Sequence, residues 1–213
     1  MLLLDTVTFS LQEKASKGFC MEKKEIRDIV IASAALAVAF SFNRNLQEFF
    51  INIPAAIVGV VSGFVLHELA HRFIARRYHC HAEFVLWRNG IILALALAVI
   101  SNGAFVFAAP GAVYIQNAVD LWGNPVGLSK KRNAIISIAG PATNIALAAA
   151  FIGASFLVTS YSSLLLFAAS INIWLAVFNM IPLPPLDGSK VFFWDKRVWA
   201  VVFVGLAAAL ILL

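Results

Sequence analysis

Two histidines four residues apart, with a glutamate after the first, form His67-Glu68-Leu69-Ala70-His71 inside an apolar stretch from Pro54 to Ile74. On a helix, positions i and i+4 share a face, so His67 and His71 can aim two imidazoles at one metal ion. Glu68 can reach a water held by that ion, which is the arrangement for metal-assisted hydrolysis. Ionisable groups within an apolar span are costly and usually functional. The competing reading is a polar cluster that only glues helices together.

A catalytic zinc takes three protein ligands and keeps a fourth position for water. His79 and His81 are one source of the third ligand, but they follow Arg76-Arg77-Tyr78 and are expected at the interface as solvated histidines. Asp187 is the better candidate. It closes the segment Asn179-Met180-Ile181-Pro182-Leu183-Pro184-Pro185-Leu186-Asp187-Gly188, in which three prolines unwind the chain after an apolar span so that Asp187 can turn inward. Taken alone, the same segment reads as a helix-ending loop with a solvent-facing aspartate.

The elements that must position these residues are membrane helices. Hydrophobic residues make up 62% of the 213 and charged residues 13%, against about half and a quarter in soluble domains. The predicted fold is an all-α polytopic membrane protein of five to six transmembrane helices in a lipid bilayer. Candidate spans are Ile29–Phe42, Pro54–Ile74, Ala134–Val158, Tyr161–Ile181 and Val198–Leu213, with a further apolar region at Gly90–Ile115. Pro54 is placed at the start of its helix, where proline is tolerated. Residues 1–25 are expected as a polar, cytoplasmic tail without a cleavable signal, and 26–213 as one transmembrane domain with its core at about 54–188. Cys20 and Cys80 lie in basic stretches near span ends, so no disulfide framework is expected.

The net charge of +5 does not call for nucleic acid, because the basic residues flank apolar runs as orienting charges do. With the N-terminus cytoplasmic, a full crossing at Gly90–Ile115 would put Lys130-Lys131-Arg132, Lys190, Lys196 and Arg197 outside. If that region enters and returns, every one of these clusters is cytoplasmic and only Arg44 lies outside. The re-entrant arrangement is preferred. Ile91–Ser101 reads as a helix of ~11 residues, about 16 Å long, and Ser101-Asn102-Gly103 as a turn. Phe105-Val106-Phe107 and Ala112-Val113-Tyr114-Ile115 read as strand, broken at Pro110-Gly111. Such a strand either offers an edge to an extended peptide or belongs to a packed loop without a substrate role.

The three motifs together, HExxH at 67–71, Gly140-Pro141-Ala142-Thr143-Asn144, and NxxPxxxLDG at 179–188, resemble the site-2 protease family of intramembrane zinc metalloproteases. The resemblance covers about Pro54 to Gly188 and points to a compact prokaryotic type without PDZ or CBS domains. It implies that His67, His71 and Asp187 hold one zinc ion (Zn2+) and that Glu68 is the general base. It further implies that Asn179 binds the substrate backbone or helps stabilise the oxyanion. Asn144 is expected in a supporting polar role or a helix-packing hydrogen bond. Arg72 is expected to pair with Glu68 or, preferably, to snorkel to the cytoplasmic surface. The implied partner is a transmembrane protein substrate already trimmed by another protease, cut near its cytoplasmic end. A metal transporter using the same ligands is disfavoured, because the other ionisable groups sit at span ends rather than along a path. A catalytically inactive helix-binding relative is disfavoured by the intact Glu68.

Overall fold

Asn45 starts the helix that carries the histidines: its side-chain oxygen accepts the Gln47 N–H at 3.0 Å, satisfying one of the amides a helix start leaves free. The computed structural model describes residues 21–116, 118–119 and 125–212; Cys20 and most of the expected polar tail lie outside the described residues. Helix α1 spans Lys23–Ser41. A continuous helix then runs from Leu46 to Arg77 in three parts: α2, Leu46–Val60; a π turn, Val61–Val65; and α3, Leu66–Arg77. Pro54 therefore lies inside the helix and not at its start, because the Asn45 cap sets the first turn eight residues earlier than the apolar run implies.

The π turn sits where this helix presses on a neighbour. A Cβ on Gly63 would stand 2.8 Å from Asn172 Oδ1, so only glycine allows the approach.

Strand β1, His81–Leu86, pairs antiparallel with β2, Gly111–Gln116, and between them stands α4, Arg88–Ser101. Leu86 faces Gly111 in the register, and the Trp87 N–H reaches the Pro110 carbonyl at 2.8 Å, so the segment leaves and returns at one place. At its far end Asn102 (φ 55°) and Gly103 (φ 79°) reverse the chain, and Asn102 Oδ1 accepts the Arg44 N–H at 2.8 Å. The tip thus meets the loop between α1 and α2. With 14 residues and about 21 Å of length, α4 reaches deeper than the helix expected at Ile91–Ser101.

The expected strand at Phe105–Phe107 does not form. That stretch returns as irregular backbone packed on side chains: the Trp174 indole donates to the Val106 carbonyl at 2.9 Å, and Phe105 and Phe107 meet Trp174 and Phe178 edge to face. Away from water a carbonyl needs such a donor. A second small pairing joins β3, Ala118–Val119, to β4, Pro125–Val126.

Helix α5 spans Lys130–Leu157 and turns at Thr159–Tyr161 into α6, Ser162–Asn179. Then follow α7, Asp187–Trp194, and α8, Lys196–Leu212. The fold is mostly helical. Among the described residues three helices are long and apolar enough to cross a membrane: Leu46–Arg77, Lys130–Leu157 and Thr159–Asn179. Ile29, Leu36, Val60, Phe64, Phe84, Ile171 and Leu175 form the main core, which seats the histidine helix between α1, α6 and the β1–β2 sheet.

Candidate metal centre

On α3, His67 and His71 present their rings to the same side, with Nε2 atoms 3.0 Å apart. Asp187 arrives from the other half of the chain. After α6 the chain folds back over residues 180–186, held by the Trp199 indole donating to the Met180 carbonyl at 2.8 Å, and Asp187 becomes the first residue of α7. Its Oδ2 lies 2.8 Å from His71 Nε2 and 3.3 Å from His67 Nε2. All three side chains are buried, which overturns the solvent-facing alternative for Asp187.

The remaining ring nitrogens are committed elsewhere. His71 Nδ1 donates to the Ile136 carbonyl at 2.7 Å, and His67 Nδ1 donates to Asn144 Oδ1 at 2.6 Å. Both rings therefore turn their Nε2 lone pairs toward the carboxylate, and the three ligand atoms lie within 4.8 Å of one another. Lone pairs and a carboxylate converging in a desolvated site repel unless a cation lies among them. Two imidazoles and a carboxylate are the donor set of a catalytic zinc, so the residues fit the ion the sequence implies. The second oxygen, Asp187 Oδ1, receives the Lys190 ammonium at 3.2 Å.

Glu68 stands beside this set. Its Oε2 is buried without a hydrogen-bond partner and the residue lines a cavity of about 230 Å3 together with His67, His71 and Asp187. Strand β2 from Gly111 to Ile115 lines the same cavity, as do Asn179, Pro185 and Lys190. Gly140 backs His67: a Cβ there would stand 2.5 Å from Nε2 and displace the ligand.

The structure thus brings together His67, Glu68, His71, Asp187 and Asn144. Asn144 touches His67 and also joins helices, since its amide nitrogen donates to Gly63 O at 3.2 Å and Asn172 Oδ1 at 3.1 Å. Asn179 lines the cavity, with its amide nitrogen donating to the Leu175 carbonyl at 3.0 Å. His79 and His81 are exposed and stay outside the group. Arg72 neither pairs with Glu68 nor snorkels. It is buried and bonded to Glu25 of α1, whose Oε1 also accepts the Phe84 N–H at 3.0 Å. Sequence reading missed Glu25, Asn172, Lys190 and the Ile136 carbonyl. For Asn172 a signal exists, a carboxamide amid the apolar residues of a span, whereas a backbone carbonyl leaves none.

Comparison with known proteins agrees with this arrangement. The profile of peptidase family M50 matches residues 154–199. A candidate zinc metalloprotease of Methanocaldococcus jannaschii is 39% identical over 189 residues, covering 86% of this chain and 91% of the relative. Another of Bacillus subtilis is 28% identical, covering 65% of this chain and 68% of the relative. A third, of Mycolicibacterium smegmatis, is 29% identical, covering 62% and 53%. No solved structure gives a significant match. With the donor set in place and a relative matched along nearly its whole length, the chain belongs to peptidase family M50, the site-2 protease family of zinc metalloproteases.

Proposed function

We propose that this protein is an intramembrane zinc endopeptidase that hydrolyses a peptide bond within or near a transmembrane segment of a membrane protein. The observation that carries the reading is the convergence of His67, His71 and Asp187 beside a buried carboxylate, Glu68, whose Oε2 has no hydrogen-bond partner among the described residues, on a helix long enough to cross a membrane. Residues 26–213 act as one transmembrane protease domain with five to six spans. The N-terminus is cytoplasmic, the membrane is the cell membrane, and the segment between Trp87 and Pro110 re-enters it.

His67, His71 and Asp187 would hold the zinc, which when bound acidifies a water and polarises the scissile carbonyl. Glu68 would take a proton from the attacking water and return it to the leaving amine. A helical substrate has its amides engaged within its own helix, so it must be extended before attack. Strand β2 is bonded to β1 along one edge and walls the cavity, so its other edge can pair with an extended peptide opposite Glu68. Asn179, lining the cavity, can turn its amide from the Leu175 carbonyl toward the substrate backbone or the oxyanion.

The test is cleavage of a transmembrane test substrate by purified wild type and Glu68→Gln, with zinc content measured in both. Both should hold zinc. Wild type should cut, and the variant should be slower by about 10² to 10⁴-fold. A zinc-loaded wild type that leaves several transmembrane substrates whole would sink the protease reading and favour metal transport.

A further inference from the structure

Asn172 is a wholly buried carboxamide near the middle of α6, one amide removed from a metal ligand. We propose that Asn172 is a positioning residue which, through Asn144, fixes the ring nitrogen that His67 turns to the metal. The inference rests on the zinc reading above and adds a residue to it.

The argument runs inward from groups whose roles cannot change. Backbone carbonyls only accept. The Asn172 nitrogen lies 2.9 Å from Ala168 O and 3.3 Å from Gly59 O, so that end of the amide must be the NH₂. Its oxygen is then turned to Asn144, which must present its own NH₂, at 3.1 Å. The same NH₂ also meets the Gly63 carbonyl at 3.2 Å. The Asn144 oxygen is left facing His67 Nδ1 at 2.6 Å, so Nδ1 carries the proton and Nε2 keeps its lone pair for the metal.

Both NH₂ groups are fully used, each donating twice, and each oxygen accepts once. Flipping Asn144 would set its oxygen against the oxygens of Gly63 and Asn172, and would place an NH₂ against His67 Nδ1. The proton would then belong on Nε2, where it blocks the metal. Asn172 supplies one of the two oxygens that penalise that flip. Asn144 and Asn172 are wholly buried, where an unpaired polar contact is costly. The carbonyls of Gly59 and Gly63 flank and belong to the π turn, so the same two amides also grip the helix one turn before His67.

Two measurements test this. In zinc-loaded protein carrying His79→Gln and His81→Gln, 15N-histidine NMR should show both remaining rings protonated at Nδ1. The His67 proton should be shifted downfield and slow to exchange. A His67 bonded to zinc through Nδ1 overturns the proposal without any change at Asn172.

The second is a double-mutant cycle read as zinc affinity by chelator competition. Asn172→Leu should weaken binding about tenfold, within the range for outer partners of a ligand. An aspartate at 144 accepts from His67 whichever way it is turned, so in the Asn144→Asp background Asn172→Leu should cost less than about threefold. Equal losses in both backgrounds would mean that Asn172 only packs helices, and overturn the proposal. A wild type that takes up no zinc overturns the metal reading and this inference with it. A wild type that binds zinc no better than Asn172→Leu overturns this inference alone.

Discussion

His71 and Arg72 are neighbours on α3, yet they belong to two buried polar clusters of opposite character. Arg72 is bonded to Glu25, which also takes the Phe84 N–H, so a cation, an anion and a backbone donor close on one another. His67, His71 and Asp187 bring two imidazole lone pairs and a carboxylate together with no cation on the face they share. The first cluster is complete in charge as folded and joins α1, α3 and β1, the strand that pairs with the β2 wall of the cavity. The second is incomplete in charge, and a buried site of that kind is where an ion and a reaction belong. Adjacent positions on one helix thus divide into scaffold and chemistry by whether opposite charges meet.

That division can be broken most sharply at the incomplete cluster. Asp187→Asn should abolish zinc uptake and reduce cleavage by at least about 10⁴-fold, as losing a zinc ligand removes the chemistry outright. Metal-free protein should lose less than about 1 kcal/mol of stability, because the Lys190 partner is partly exposed and its ion pair is screened. Metal analysis, a cleavage assay and thermal unfolding in chelator check the three statements. A large loss of apo stability would show that Asp187 is scaffold after all.

The complete cluster should respond in the opposite sense. Arg72→Met leaves Glu25 buried without its cation and should cost about 3–5 kcal/mol, while the protein that remains folded still takes up zinc. Adding Glu25→Gln removes the orphaned charge and keeps an acceptor for the Phe84 N–H, so the double variant should recover most of that loss. Unfolding of the single and double variants in detergent decides the matter. A double variant as unstable as Arg72→Met alone would mean that Arg72 packs rather than neutralises.

The two clusters were also unequally legible. His67, Glu68 and His71 declare themselves by spacing, and Asp187 by the prolines that force the chain to turn back before it. Each is a local pattern with a local physical cause. Glu25 sits in what reads as a polar tail, and nothing near it in the sequence points to an arginine 47 residues away. Arg72 was assigned to the surface because snorkelling is the cheaper local solution, and tertiary packing overrode it. The helix and turn of the segment between Trp87 and Pro110 were legible from its aliphatic run and Ser101-Asn102-Gly103. The irregular return at Phe105–Phe107 was not, since the partner that satisfies Val106 is a side chain, Trp174, and not a second strand. The histidines' outer partners split the same way: Asn144 lies in a recognisable motif, whereas the Ile136 carbonyl belongs to any residue.

The smallest expected effect lies at the one cation that does touch the metal set among the described residues. Lys190 reaches Asp187 Oδ1, the oxygen turned away from the imidazoles, and its side chain is 30% exposed at the cavity rim. If the set is incomplete on its Oδ2 face, removing this ammonium should matter little, because a partly solvated ion pair is screened. Lys190→Met should therefore weaken zinc binding by less than about fivefold, below the usual range for outer partners, and leave the metal stoichiometry at wild-type level. Chelator competition measures both. A variant that loses zinc altogether would show that the Lys190 charge holds Asp187 in place. The histidine cluster would then have been completed from the rim, and its contrast with Glu25 and Arg72 would disappear.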